Sequence, residues 1–358
     1  MKQRGTCLPV AAWPEADRVA WTHALASGDV LDAGGPAEHW RPATRRFVGQ
    51  GYGGWLAWLK DRGIDIDAGT PTDRLTPDCL GDYIEHLRHR VSTTTVENRL
   101  IALERALAVM APESDRSLLN RAIRRLHDPH AGLGAKRGRL RNSSELLALG
   151  IRLMSEADDP TPRPYLRTRC STLYRDGLCI ALLSARPLRL RNFVGLILGH
   201  HLRVFDDRWW ILIPPEETKT RAPIDVPFPE DLVDALDQYL KVHRPRLLNI
   251  HGANNVDMAH AGPLWISART GHALSPRTLA QRITEHTGRA FGKPVNPHLF
   301  RDCAATSIAI RDSEHVRIAA AILGHSRFET TERHYNLARS VDAAANYHHH
   351  LDRLRREA

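Results

Sequence analysis

The sequence predicts a mainly helical α+β chain in two parts. Three observations carry that reading: apolar stripes of helical period from about residue 44 to 126, a basic, glycine-containing stretch after them, and a change to short β-prone runs near residue 202. With 358 residues and 42% hydrophobic content, the chain can build two cores. Residues 1–43 carry Pro, Gly and Trp without clear periodicity and are expected to form an irregular arm with at most one short helix.

From about residue 44 the pattern turns helical. Tyr52, Trp55, Leu56 and Leu59 fall at i, i+3, i+4 and i+7, and Gly63 marks the stop. Thr76 then Pro77 reads as a cap with a proline in the first turn, and Leu80, Tyr83, Ile84 and Leu87 give the next helix its apolar face. A third helix opens at Ser92 or Thr93, with Val96, Leu100, Leu103, Leu107 and Met110 on its stripe. A fourth, from about Ser114 to Leu126, buries Leu118, Ala122 and Ile123 and presents Arg121, Arg124 and Arg125. Residues 44–127 thus form a four-helix unit with a basic rim, which is either an ordinary solvated face or a contact for a polyanion.

Residues 128–142, DPHAGLGAKRGRLRN, carry Lys136, Arg137, Arg139 and Arg141 among glycines and a proline, and read as a linker that crosses phosphates. Ser143 or Ser144 caps a helix through Met154, and another covers roughly Pro164 to Ala185. The runs LRVFDD, RWWILI and APIDVPF between Leu202 and Phe228 then predict a small antiparallel sheet, with Lys219 on its longer turn. Helices resume over Pro229 to His243, with Leu232, Leu236, Tyr239 and Leu240 apolar, and over about Ser275 to Arg289. A helical tail, Val341 to Arg356, packs through Leu351 and Leu354.

Lys plus Arg number 50 against 41 acids, a net charge of +9 that favours a polyanionic partner, nucleic acid first. No run approaches the ~18 apolar residues of a membrane span, and prolines break the short apolar run near the start, so the expectation is a cytoplasmic protein without a membrane partner. Cys7, Cys79, Cys170, Cys179 and Cys303 are scattered without C-x-x-C spacing and read as reduced thiols. His348 to His350 are consecutive, so on a helix they point in different directions and make no metal site. No cofactor is expected.

The residues with most chemistry lie between Pro297 and Tyr335, PHLFRDCAATSIAIRDSEHVRIAAAILGHSRFETTERHY. His298 and Arg301, three apart, share a helix face one turn apart and can address one anion. Ala304, Ala305, Ser307, Ile308 and Ala309 form a compact run suited to tight packing. Gly324 is a natural helix stop, from which His325 projects, and Tyr335 follows ten residues later. The ordered set H-x-x-R, L-G-H-S and T-T-x-x-x-Y resembles the C-terminal boxes of the tyrosine recombinases, the phage-integrase family. Upstream, LLSARPLRLRNFVGL over Leu182 to Leu196 looks like that family's first arginine box, with Arg189 at the matching position. ILIPPEETKTRAPIDVPFP over Ile211 to Pro229 is similar to its β-hairpin, with Lys219 in the turn.

The resemblance implies a helical SAM-like core-binding domain over 44–127 whose basic rim meets DNA, and a tyrosine-recombinase catalytic domain over 143–358. It also implies a 3′-phosphotyrosine link and a homo-tetramer working on paired sites of double-stranded DNA. Chemically, two guanidiniums stabilise the charge that builds on the non-bridging oxygens during attack on phosphorus, which suits Arg189 and Arg301. Tyr335, the nucleophile, needs a base or a cationic field, which suits His298, with His325 as a further phosphate donor. The leaving 5′ oxygen needs a proton, which suits Lys219. Reversal through the retained phosphodiester energy then needs neither metal nor ATP.

The chain departs from the family at several points. Pro187 stands where glycine is usual, and Asn192 where an acid usually buttresses the arginine, while Arg186 and Arg191 compete with Arg189 for the role. Many members place the tyrosine nine residues after the second histidine, where this chain has His334; Tyr335 comes one later, and Tyr347 is the alternative. Two other readings share the resemblance: a catalytically silent DNA-binding protein of the same fold, and a type IB topoisomerase-like enzyme.

Overall fold

The computed structural model describes residues 7–29, 33–128, 136, 138–158, 166–249 and 261–311. The chain divides into two compact units at Gly132/Leu133, inside the basic stretch 128–142.

The first unit is helical. It contains α1 (Glu15–Ala24), α2 (Pro42–Asp61), α3 (Pro77–Arg88), α4 (Thr93–Met110) and α5 (Ser117–Leu126). The stripes set the packing: Tyr52, Trp55, Leu56 and Leu59 of α2 and Leu100, Leu103 and Leu107 of α4 are all fully buried in one cluster. Thr76 caps α3 by accepting from the Cys79 N–H, and Ser92 caps α4 by accepting from Thr95 N–H. On α5 the fully buried residue is Leu119, with Leu118, Ala122 and Ile123 only partly covered. Arg121, Arg124 and Arg125 are exposed.

The N-terminal segment is more ordered than its lack of periodicity predicts. Trp13 and Trp21 join the same buried cluster, and Trp13 meets the Tyr52 ring edge-on at 4.9 Å. Asp17 on α1 accepts from Tyr52 Oη at 2.6 Å and from Arg74 Nη1 at 2.8 Å, a buried trio that ties α1 to α2 and to the loop before α3. Burial and the Asp17 charge push the Tyr52 hydroxyl well above its ordinary range.

The second unit begins with α6 (Ser143–Ala157) and α7 (Arg167–Ala185). Asn142, one residue before the two serines, is the cap; its side chain accepts from Ser144 N–H while Glu145 reaches back to the Asn142 N–H. The two helices cross at Gly150 and Gly177. A Cβ on Gly150 would stand 2.6 Å from the Gly177 carbonyl oxygen, and one on Gly177 2.7 Å from that of Gly150, so the close approach requires both glycines.

After α8 (Leu190–Val194) come β1 (Ile197–Leu198), β2 (Leu202–Phe205), β3 (Arg208–Ile213), β4 (Ile224–Pro227) and, later, β5 (Gly262–Pro263). The sheet order is β4-β3-β2-β1-β5. It is antiparallel through β2, β3 and β4, as the runs predict, and gains two short strands beyond β2, β1 pairing parallel to β2 and antiparallel to the edge strand β5. Two-residue strands leave no period to read. Asp206 and Asp207, both at positive φ, make the tight β2–β3 turn that matches strand twist.

The helix expected over Pro229 to His243 is composite: a 3₁₀ turn, α9 (Val233–Gln238), a π turn at Tyr239–His243 and α10 (Arg244–Leu248). Pro245 has no N–H for the carbonyl one turn back, and the ladder widens just before it. The described part of the unit ends with α11 (Pro276–Phe291) and α12 (Pro297–Arg311).

At its centre Asp176 on α7 is fully buried among cations. Arg175 Nη2 and Arg282 Nε donate to it at 2.6 and 2.7 Å, and His286 Nε2 lies 3.1 Å away. Burial pushes the carboxyl up, but Arg175, His286 and Arg282 outweigh it and hold the pKa down to about 2. Asp176→Asn, which leaves Arg175 buried without its countercharge, is expected to cost about 3–5 kcal/mol in urea unfolding. Because the folded pKa is depressed, the Asp176 contribution is complete above about pH 4 and declines as pH falls towards about 2. Urea midpoints at pH 3 and pH 6 should differ less for the variant than for wild type.

Candidate active site

Arg189 caps the short helix α8 in extended backbone (φ −64°, ψ 137°). That helix is anchored from beneath: Phe193 is fully buried, stacks on Trp265 at 5.1 Å, and accepts the Trp265 Nε1–H on its carbonyl at 2.8 Å. Arg301 lies on α12, whose first turn is set by Asn296, the side chain of which accepts from Leu299 N–H, and by Pro297. Leu299, Phe300 and Cys303 hold that helix in the core, and Ser307 accepts from the N–H of Ser143 at the start of α6.

Arg301 is 7% exposed and donates from Nη1 to the Pro187 carbonyl at 2.6 Å. The proline of the arginine box therefore supplies an acceptor for the second arginine. Burial and the neighbouring Arg189 charge push the Arg301 guanidinium down, to about 10, against the opposing pull of Asp302; it stays charged at neutral pH. Burial lowers Arg189 as well. Two like charges held together in a partly dry site favour an anion between them.

Of the three arginines in the first box, Arg189 is the one whose field acts on Arg301. Arg186 instead donates to the carbonyls of Pro227 and Ala185, bracing β4, and Arg191 is exposed. Lys219 is exposed in the turn between β3 and β4. His298, one turn before Arg301 on α12, is exposed as well. His325, Tyr335 and Tyr347, like the histidines 348–350, lie outside the described residues, as does Arg137.

The basic stretch is engaged within the second unit. Lys136 Nζ is 3.5 Å from Asp302 Oδ2, Arg139 Nε donates to the Pro294 carbonyl at 2.9 Å, and Arg141 donates to the Phe291 carbonyl and lies over its ring. These contacts dock the segment on α11 and α12, a role that its glycine-rich composition did not suggest. The five thiols are all free, with Cys179 and Cys303 buried.

Asn192 has a role that sequence reasoning missed. Its side-chain amide donates to the Glu217 carbonyl at 3.1 Å, two residues before Lys219. An acid could not make that bond. Near it, His200, His201 and Glu217 bring possible ligand atoms within 4.8 Å of one another, the one such trio among the described residues. The fit to a metal is poor. His201 Nδ1 accepts the Ile197 N–H at 3.2 Å, so the neutral ring carries its proton on Nε2, the nitrogen that faces Glu217.

The second unit is largely helical with a small sheet, and it carries Arg189 at the start of α8, Arg301 on α12 and Lys219 on the β3–β4 turn. The Phage integrase family matches residues 153–340. The chain belongs to that family. It is 28% identical over 165 residues to the tyrosine recombinase XerD of Chlamydia pneumoniae, covering 46% of this chain and 49% of that one. It is 29% identical over 178 residues to XerD of Pseudomonas aeruginosa, covering 49% and 54%. The match thus spans about half the length of these relatives. A crystal structure of XerA recombinase aligns over 88% of this chain and 94% of that one, at 19% identity and a TM-score of 0.40. No described helix is long and apolar enough to cross a membrane.

Proposed function

We propose that the protein is a site-specific DNA recombinase or integrase that cuts and rejoins strands through a 3′-phosphotyrosine, without metal or ATP, as a tetramer on two DNA sites. The observation that carries this is the Arg189–Arg301 pair, two guanidiniums whose charges act on each other beside the α12 position of His298. In this reading the pair clamps the scissile phosphate, His298 assists the Tyr335 hydroxyl, His325 donates to a phosphate oxygen, and Lys219 protonates the leaving 5′ oxygen.

DNA binding in this reading begins with the exposed Arg121, Arg124 and Arg125 on α5. Lys136, Arg139 and Arg141 have structural contacts and reach phosphate only with their remaining donors. Replacing the three α5 arginines with glutamine should weaken binding evenly across sequences and lower the log–log salt slope by about 3, close to one unit per phosphate contact. Fluorescence anisotropy at several salt concentrations measures the slope. An unchanged slope assigns those arginines to solvent.

Adduct trapping on nicked DNA carrying the cognate recombination site, in EDTA, tests the function. A covalent complex supports a metal-free tyrosine recombinase. Tight binding without any adduct would favour a silent DNA-binding protein of the same fold.

A further inference from the structure

The turn that bears Lys219 is held at one residue from two directions. On one side Asn192, 8% exposed on α8, donates its amide to the Glu217 carbonyl at 3.1 Å. A carbonyl only accepts, so the amide must present its NH₂ here and the orientation is settled by the partner. On the other side His201, 3% exposed, presents Nε2 at 3.2 Å from Glu217 Oε2, and His200 Nε2 stands at 3.8 Å from the other carboxylate oxygen. The His201 contact lies off the line of a hydrogen bond, and Nε2 has no hydrogen-bond partner among the described residues, so the attraction is one of charge and dipole. The Ile197 N–H on Nδ1 keeps that face of the ring towards Glu217.

The next residue along the turn is restrained too. Thr218 is fully buried and its hydroxyl donates to the Pro215 carbonyl at 3.1 Å. Lys219 comes next and is exposed. Any slack at Glu217 therefore reaches the lysine within two residues, and a positional error of about 1 Å in a catalytic group costs about 100-fold.

We propose that Asn192 and His201 form a two-point latch on Glu217 that sets the position of Lys219. They are positioning residues for the proton transfer to the leaving oxygen. The proposal rests on the reading of Lys219 as the proton donor. It also accounts for asparagine at a position where a carboxylate would face the Glu217 carbonyl and repel it.

The test uses the full-length protein and Asn192→Asp, which keeps the side-chain shape and removes the donor, beside Lys219→Ala. Trypsin cuts after Lys219 and Arg221, so the rate of nicking in this turn reports the latch without DNA; loss of one hydrogen bond should raise it ~10-fold. Adduct formation is then compared on DNA with the ordinary bridging 5′ oxygen and on DNA with sulfur at that position, a leaving group that departs without a proton. Asn192→Asp should be slowed ~10- to 100-fold on oxygen and restored to near wild type on sulfur, in parallel with Lys219→Ala. Equal slowing on both substrates, or wild-type rates in the tryptic and oxygen assays, overturns the latch. If Lys219→Ala is not restored by sulfur, the reading of Lys219 itself fails, and the proposal with it.

Discussion

Tyr335→Phe binds cognate DNA as wild type does and forms no covalent adduct: that is the largest effect the proposed mechanism predicts. The phenol oxygen is the atom that would become esterified, and phenylalanine keeps the ring while removing it. Phenol oxygen is a weak nucleophile near neutral pH, with an ordinary pKa of ~10, so in the proposed mechanism its attack relies on the cationic field of Arg189 and Arg301 and on His298 as base. The companion variant Tyr347→Phe should form adduct at the wild-type rate. Denaturing gels of the protein on nicked DNA read both. Normal adduct from Tyr335→Phe, with loss in Tyr347→Phe, would move the nucleophile twelve residues downstream.

Arg301→Ala is expected to slow cleavage by ~10²- to 10³-fold, the scale of removing one donor that acts on charge developing in the transition state. The position also has a structural share, since Arg301 donates to the Pro187 carbonyl at 2.6 Å. Arg301→Lys separates the two contributions. It keeps the positive charge and a donor but loses the planar fork, so its fold should survive while cleavage remains well below wild type. Single-turnover cleavage with thermal melting of each variant measures this. Arg301→Lys cleaving at the wild-type rate would mean that charge alone suffices. A wild-type rate in Arg301→Ala would remove the clamp from the mechanism.

The substitution of asparagine for the acid usual in related arginine boxes illustrates why a motif is read most safely with its surroundings. From the sequence, Asn192 counts as a lost buttress. In the fold it bonds the Glu217 carbonyl, twenty-five residues away, and joins α8 to the turn of Lys219. Pro187 presents its main-chain carbonyl to Arg301, an acceptor that the position offers whatever its side chain.

The sequence by itself determined the features that follow from regular spacing along the longer elements. Tyr52, Trp55, Leu56 and Leu59 recur at helical period and are buried together; Thr76 and Ser92 stand before their helices and cap them; two β-prone runs flank Lys219 and place it in a turn. These features come from geometry that repeats every 3.6 or 2 residues. Only the tertiary structure distinguishes the surroundings of Arg186, Arg189 and Arg191, since all three are basic residues close together in the chain and differ in which distant groups they meet. It also decided that Trp13, Trp21 and Asp17 belong to the first core, because their partners Tyr52 and Arg74 lie more than thirty residues along the chain. The bonds of Arg139 and Arg141 to the carbonyls of Pro294 and Phe291 span some 150 residues. A buried polar group must find a partner wherever the packing brings one, and that choice depends on which elements meet.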